Sequence, residues 1–137
     1  MDRKDPLKVS ILQRNSELVE SLMNLKTKTT HSNISMILDY FIDNLKDLYS
    51  HFEKDEEKAF PKEYDDIKIN EYMKMPVADP NSLQSVILFT ADSLAKEHEE
   101  LKKIETKNSF IDHYINSMDS LRKRAEHMYM DLVERYQ

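Results

Sequence analysis

The chain of 137 residues contains no cysteine, no glycine and no tryptophan. Without cysteine it cannot form a disulfide, a thiolate metal site or a thiol nucleophile. Glycine supplies left-handed turns and phosphate-binding loops, so its absence argues against dinucleotide-binding folds, P-loops and many-stranded β architectures. A mostly helical protein of one domain remains.

A long apolar run and a secretory signal are also missing, so we expect a soluble protein that makes no membrane contact and has a cytoplasmic location. The 20 Lys and Arg against 26 Asp and Glu give a formal net charge of −6. An acidic protein binds nucleic acid poorly unless it carries a local basic face. Residues 1–34 provide a small excess of this kind, with six basic and four acidic side chains.

Two amphipathic helices are predicted in the first half of the chain. One runs from about residue 16 to residue 28, where leucines recur at helical spacing. The other follows the N-capping residues Ser32, Asn33 and Ser35 and has the broadest apolar face of the sequence. Together they define an N-terminal segment, residues 1–54.

Two further helices are predicted near the C-terminus. Helix-start signals stand around Pro80 and at Asn108 and Ser109, and the helices that follow them should form an antiparallel hairpin over residues 81–137. This hairpin is long enough to offer a dimerisation or partner surface. Residues 55–80 are acidic, hold three of the four prolines and lack a sustained period, so we interpret them as a linker.

Residues 8–14 allow two interpretations. In the first, they continue the helix that follows, and the protein is a plain four-helix bundle. In the second, they form a short β-strand in which Val9 and Ile11 face inward, and Asn15 or Ser16 caps the next helix.

The second interpretation resembles the ribbon-helix-helix family of DNA-binding proteins. The resemblance covers about 38 residues. It is carried by the strand candidate KVSILQR, the first-helix text SELVESLMNL, the turn KTTHSNIS and the second-helix text MILDYFIDNL. It implies an obligate homodimer whose paired strands enter the major groove of duplex DNA. Lys8, Ser10 and Arg14 would then contact bases, and the backbone at Ser32 and Asn33 would bind a phosphate at the helix N-terminus.

A second resemblance lies near the C-terminus. Arg122, four residues, His127, one residue and Tyr129 are similar to the Arg-x4-His-x-Tyr signature of the higher-eukaryote-and-prokaryote nucleotide-binding ribonucleases, which are also small and all-helical. The resemblance implies that His127 acts as general acid or base while Arg122 stabilises charge on a phosphate. The alternative is a solvated basic patch beside a half-buried histidine.

The histidines offer no Glu-x-x-His pair, and two i, i+4 His-Asp pairs do not make a metal site, so we expect neither a metal nor a cofactor. The preferred prediction is a dimeric, non-enzymatic DNA-binding regulator. In it, the hairpin of residues 81–137 oligomerises or binds a protein partner. The first alternative is a non-enzymatic four-helix bundle, such as an adaptor, a chaperone or an inhibitor, whose acidic surface engages a basic protein partner. The second alternative is a ribonuclease.

Overall fold

The computed structural model describes residues 5–56, 79–105 and 108–136, and all regular structure in these ranges is α-helical. This confirms the prediction of a mainly helical bundle. The helices are α1 (Pro6–Thr27), α2 (Ser32–Glu53), α3 (Pro80–Lys102) and α4 (Ser109–Arg135).

Polar side chains cap three of the four helix starts. Asp5 accepts a hydrogen bond from the Leu7 N–H at 3.0 Å, and Asn108 accepts one from the Ile111 N–H at 2.9 Å. Asp79 accepts one from the Ser82 N–H at 3.2 Å. Each bond satisfies a backbone donor that the first helical turn leaves without a partner. The starts of α3 and α4 therefore lie where the sequence predicted them.

The end of α2 adopts a conformation that glycine usually provides. Asp55 has a φ of 53°, and the N–H groups of Asp55 and Glu56 donate to the carbonyls of Phe52 and His51. This pair of bonds is the Schellman arrangement, in which the residue after the C-cap is left-handed. Aspartate tolerates that region better than most residues do. Asp55 can therefore take the place that glycine usually has at the end of a helix.

The helices form a ring in which neighbours run antiparallel. Lys26 pairs with Asp39 and Lys8 with Asp55, so α1 and α2 are antiparallel. Contacts along α3 and α4 also run in opposite order, because Gln84 meets the Leu132 carbonyl and His98 lies beside Asp119. The C-terminal hairpin predicted from the sequence is therefore present. The ring is closed by packing of α2 against α4 and of α1 against α3.

One continuous hydrophobic core fills the centre of this ring, and every helix contributes to it. Apolar positions recur on the inner side of each helix at three- and four-residue spacing, as an amphipathic helix requires. Its completely buried side chains include Leu22, Leu38, Phe41, Leu45, Ile87, Leu94, Leu101, Tyr114, Met118, Leu121, Ala125 and Leu132.

The strand predicted for residues 8–14 is wrong, because α1 begins ten residues earlier than we expected. Asp5 and Pro6 form a helix-start signal, with proline at the first helical position where its missing N–H costs nothing. Ile11 is 1% exposed and packs in the core together with Leu18 and Leu22. A helical repeat of buried residues therefore runs unbroken through the segment.

Most of the predicted linker, residues 57–78, lies outside the described residues, so its character stays a prediction. Among the helices that the structure describes, none combines the length and the apolar character needed to cross a membrane.

Candidate interaction surface on the last two helices

The predicted base-reading residues lie on α1 and do not form one surface. The Lys8 ammonium lies 2.8 Å from a carboxylate oxygen of Asp55. The Arg14 guanidinium donates to Glu97 of α3, with Nη2 to Oε2 at 3.1 Å. Ser10 is exposed. Because six residues separate Lys8 from Arg14, their side chains leave the helix about 120° apart, and each one binds a different neighbouring element.

The predicted phosphate-binding residues lie at the opposite end of the bundle. Ser32 is exposed in the first turn of α2, whereas Asn33 is 7% exposed. The Asn33 Oδ1 accepts a hydrogen bond from the Ile34 N–H at 3.0 Å. The structure therefore does not bring Ser32 and Asn33 together with Lys8.

Arg122 and His127 also point in different directions. Five residues along a helix rotate the side chain by about 140°, so the pair diverges. Arg122 lies between Asp119 and Glu126, at 2.6 Å and 2.8 Å, and the hydrogen bond to Asp119 raises the pKa of its guanidinium. His127 is exposed. This geometry does not place the two side chains on a shared phosphate.

No protein family, curated protein or solved structure matches this chain. The surface of the chain itself is therefore the guide to what it binds.

The first two-thirds of α3 is nearly free of charge. Residues 80–95 contain a single ionisable side chain, Asp92, although 34% of the whole chain is charged. Central positions of protein interfaces are similarly depleted of charged residues. The outer side of this segment nevertheless faces solvent, where charged residues would normally be common.

Large apolar side chains are exposed on the same hairpin. On α3, Leu88 is 39% exposed and Phe89 is 45% exposed. On α4, Met130 is 60% exposed, and Tyr136 follows the end of the helix at 39%. Only two other large apolar side chains in the described ranges are exposed, Val9 and Met23 on α1.

The register of the hairpin places Leu88 and Met130 along one groove. Gln84 reaches the Leu132 carbonyl at 3.5 Å, so the α3 side that carries Gln84 faces α4. Leu88 lies one turn beyond Gln84 and somewhat further out. Met130 follows Glu126 by one turn on the side of α4 that faces α3. Phe89 lies outside this groove, about 100° round α3 from Leu88, and Asp92 lies between the two on the outer side of the helix. We call the surface formed by Leu88, Phe89, Asp92 and Met130 the docking face.

Further along the same groove, ion pairs form around Asp119. Asp119 accepts hydrogen bonds from Arg122 at 2.6 Å and lies 3.2 Å from the Lys123 ammonium. These bonds outweigh burial, so the pKa of the Asp119 carboxyl is lowered. His98 is 3.7 Å from Asp119, yet burial has the larger effect and lowers the pKa of its imidazole. Arg122 and Lys123 therefore already have carboxylate partners within the protein.

Acidic groups border the docking face. Asp92 lies one turn from both Leu88 and Phe89, and Glu134 lies one turn after Met130. Neither Asp92 nor Glu134 forms an ion pair with any residue in the described ranges. Exposed apolar groups are thus adjacent to two carboxylates that form no ion pair within the part of the chain that the structure describes.

The helical period of the sequence could not separate these residues from the core. Leu88 and Phe89 stand next to Ile87 in an apolar run, and Met130 is one of eight methionines that fit core positions. The one signal available was the scarcity of charge in residues 80–95, which is unusual for a helix with an exposed side.

Proposed function

We propose that the protein is a non-enzymatic interaction bundle that binds a basic, amphipathic helical segment of a partner protein on the docking face. The partner would lay its apolar side against Leu88, Phe89 and Met130. Its lysines or arginines would meet Asp92 and Glu134. The observation that carries the proposal is the exposure of Leu88 and Phe89 on a helix segment with one charge.

Burial of the apolar side chains would supply most of the affinity. Removing a large apolar side chain from water contributes about 1.5–3 kcal/mol, and aromatic residues are common among the side chains that dominate binding energy. A helix that fits a groove offers anchors at three- and four-residue spacing, which suits apolar groups on two adjacent helices.

The sign of the surrounding charge favours a basic partner over an acidic one. The net charge of −6 draws cations towards the protein, and the two bordering carboxylates form no ion pair with any described residue. Electrostatic complementarity of this kind raises association rates and discriminates between partners more than it adds affinity.

Binding of duplex DNA stays a prediction, but a helix stands where that prediction requires a β-strand. The ribbon would have used residues 8–14, which are helical. Lys8 and Arg14 already bind Asp55 and Glu97, so a phosphate would have to compete with carboxylates of the same chain.

A synthetic peptide with leucine on one helical side and lysine on the other tests the proposal. The peptide is titrated into the ¹⁵N-labelled full chain, and chemical-shift changes are followed in ¹H–¹⁵N spectra. We expect saturable changes at the docking face. Phe89→Ser should raise the dissociation constant about tenfold, which corresponds to losing one buried aromatic anchor.

Met23→Ser is the matched control, because Met23 is 44% exposed against 45% for Phe89 but lies on α1. It should leave the dissociation constant unchanged. A peptide with glutamate in place of lysine should bind more weakly than the lysine peptide.

Three results would contradict the proposal: equal binding of the glutamate peptide, shifts centred on α1 and α2, and an equal loss of affinity in both variants. Concentration-dependent dimerisation that Phe89→Ser abolishes, without peptide binding, would identify a second copy of this chain as the occupant instead. Light scattering on the same samples measures it.

A further inference from the structure

An open cleft of about 430 Å³ lies at the end of the bundle where α1 ends and α2 and α3 begin. Ten residues line it, and they come from α1, the α1–α2 turn, α2 and α3. This volume falls within the range of small-molecule sites, which are typically 300–1,000 Å³. The docking face lies along the outer side of the α3–α4 hairpin, and its Phe89 is one turn beyond the cleft residues Ser85 and Val86.

The cleft has an apolar floor. Leu25 of α1, Ile34 of α2 and Val86 of α3 contribute one side chain each. Ile34 is 1% exposed, so this floor is part of the core, whereas Leu25 and Val86 are partly buried against it. A ligand with an apolar portion would therefore find an apolar surface to cover.

The wall of the cleft is polar and carries two side chains that can be cationic, Lys28 and His31. Lys28 is exposed and forms no ion pair with any residue that the structure describes, unlike Lys8, Arg14 and Lys26 of the same helix region. Thr30 and Ser85, whose side chains carry hydroxyl groups, also line the cleft. The wall thus offers several hydrogen-bond donors beside an ammonium without a described partner.

Asp79 lies beside this wall and stays negatively charged, so it disfavours an anion on its own side of the cleft. Its Oδ2 accepts a hydrogen bond from the Ser82 Oγ at 2.6 Å and its Oδ1 accepts one from the Ser82 N–H. These bonds, with a smaller contribution from His31, lower the pKa of the Asp79 carboxyl. The N-cap of α2, His31, makes no side-chain capping bond, so Lys28 and the start of α2 are the part of the cleft that suits an anion.

We propose that this cleft binds a small organic phosphate. The phosphate group lies against Lys28, His31 and the Thr30 hydroxyl, and the organic portion covers Leu25, Ile34 and Val86. A phosphate offers three oxygen atoms to several donors at once, and hydrogen bonds from charged donors to it are stronger than neutral ones. The apolar floor favours an organic phosphate over inorganic phosphate, which has no apolar portion to cover it.

Phenyl phosphate is a suitable probe, because it joins a phosphate to an apolar ring. Titrated into the ¹⁵N-labelled full chain, it should produce saturable shifts confined to residues 28–34 and 81–86. Lys28→Gln should weaken binding about tenfold, the usual effect of losing one charge-assisted hydrogen bond. Lys96→Gln, which removes an exposed lysine on the outer side of α3, should change nothing.

Phenol and inorganic phosphate separate the two halves of the cleft, and both should bind more weakly than phenyl phosphate. Equal affinity for phenol would show an apolar cleft without phosphate recognition, and would overturn the proposal. Equal affinity for inorganic phosphate would show an adventitious ion only. Shifts scattered over exposed lysines, or the same loss in Lys28→Gln and Lys96→Gln, would also overturn it.

Discussion

Asn15 is the residue whose role the sequence predicted least well. As a helix N-cap it would have been exposed, but it is 1% exposed in the middle of α1. Its Nδ2 donates to the Leu45 carbonyl of α2 and to the Tyr114 hydroxyl of α4, both at 3.1 Å. Burial raises the pKa of that tyrosine. One amide thus joins three helices, and such a satisfied polar group favours a single arrangement of them.

Asn15→Ala should lower the free energy of unfolding by about 3 kcal/mol, because it removes two buried hydrogen bonds and leaves the Tyr114 hydroxyl without its partner in the core. Urea denaturation measures the change. Asn24→Ala, on the exposed side of the same helix, is the control and should cost under about 0.5 kcal/mol. Similar values for the two variants would show that the buried hydrogen bonds are not formed.

The basic residues of α1 show a limit of sequence reasoning at the same scale. Their excess over acidic residues in the first 34 positions suggested a DNA-binding surface. In the structure, three of them form ion pairs with acids from other segments: Lys8 with Asp55, Arg14 with Glu97 and Lys26 with Asp39. Composition records the charge of a segment, but only the fold decides which acid lies beside it.

At the scale of the element, helix boundaries were predictable where a cap and a helical repeat coincide. Asp79 with Pro80, and Asn108 with Ser109, marked the starts of α3 and α4 correctly. The same kind of signal, Asp5 with Pro6, marks the start of α1. We missed it because the alternation of Val9 and Ile11 imitates a strand over a few residues, a length at which the two periods are hard to distinguish.

The helix caps make different contributions that mutation can separate. Asn108→Ala should lower the free energy of unfolding by about 1 kcal/mol, because it removes the acceptor for the Ile111 N–H at the start of α4. His31→Ala should change it little, since His31 caps α2 without a side-chain hydrogen bond. Thermal denaturation of both variants measures the difference. A larger loss for His31→Ala would contradict this account of the caps.

At the scale of the whole molecule, the amphipathic pattern predicted helices and a C-terminal hairpin but not which helices would be neighbours. That choice determines which apolar residues stay outside. Leu83, Ile87 and Leu94 fill the core side of α3, so Leu88 and Phe89 remain on its outer side. The docking face therefore depends on the register of α3 against α4, which the sequence alone did not specify.

The four-helix bundle requires an N-terminal segment that is helical and packed against its neighbours rather than extended. Backbone ¹³Cα chemical shifts of residues 8–14, measured on the full chain without ligand, test this most directly. We predict that all seven shifts deviate from random-coil values in the helical direction, as those of residues 16–27 should. Deviations in the extended direction would contradict the bundle, and would restore the strand-based DNA-binding hypothesis.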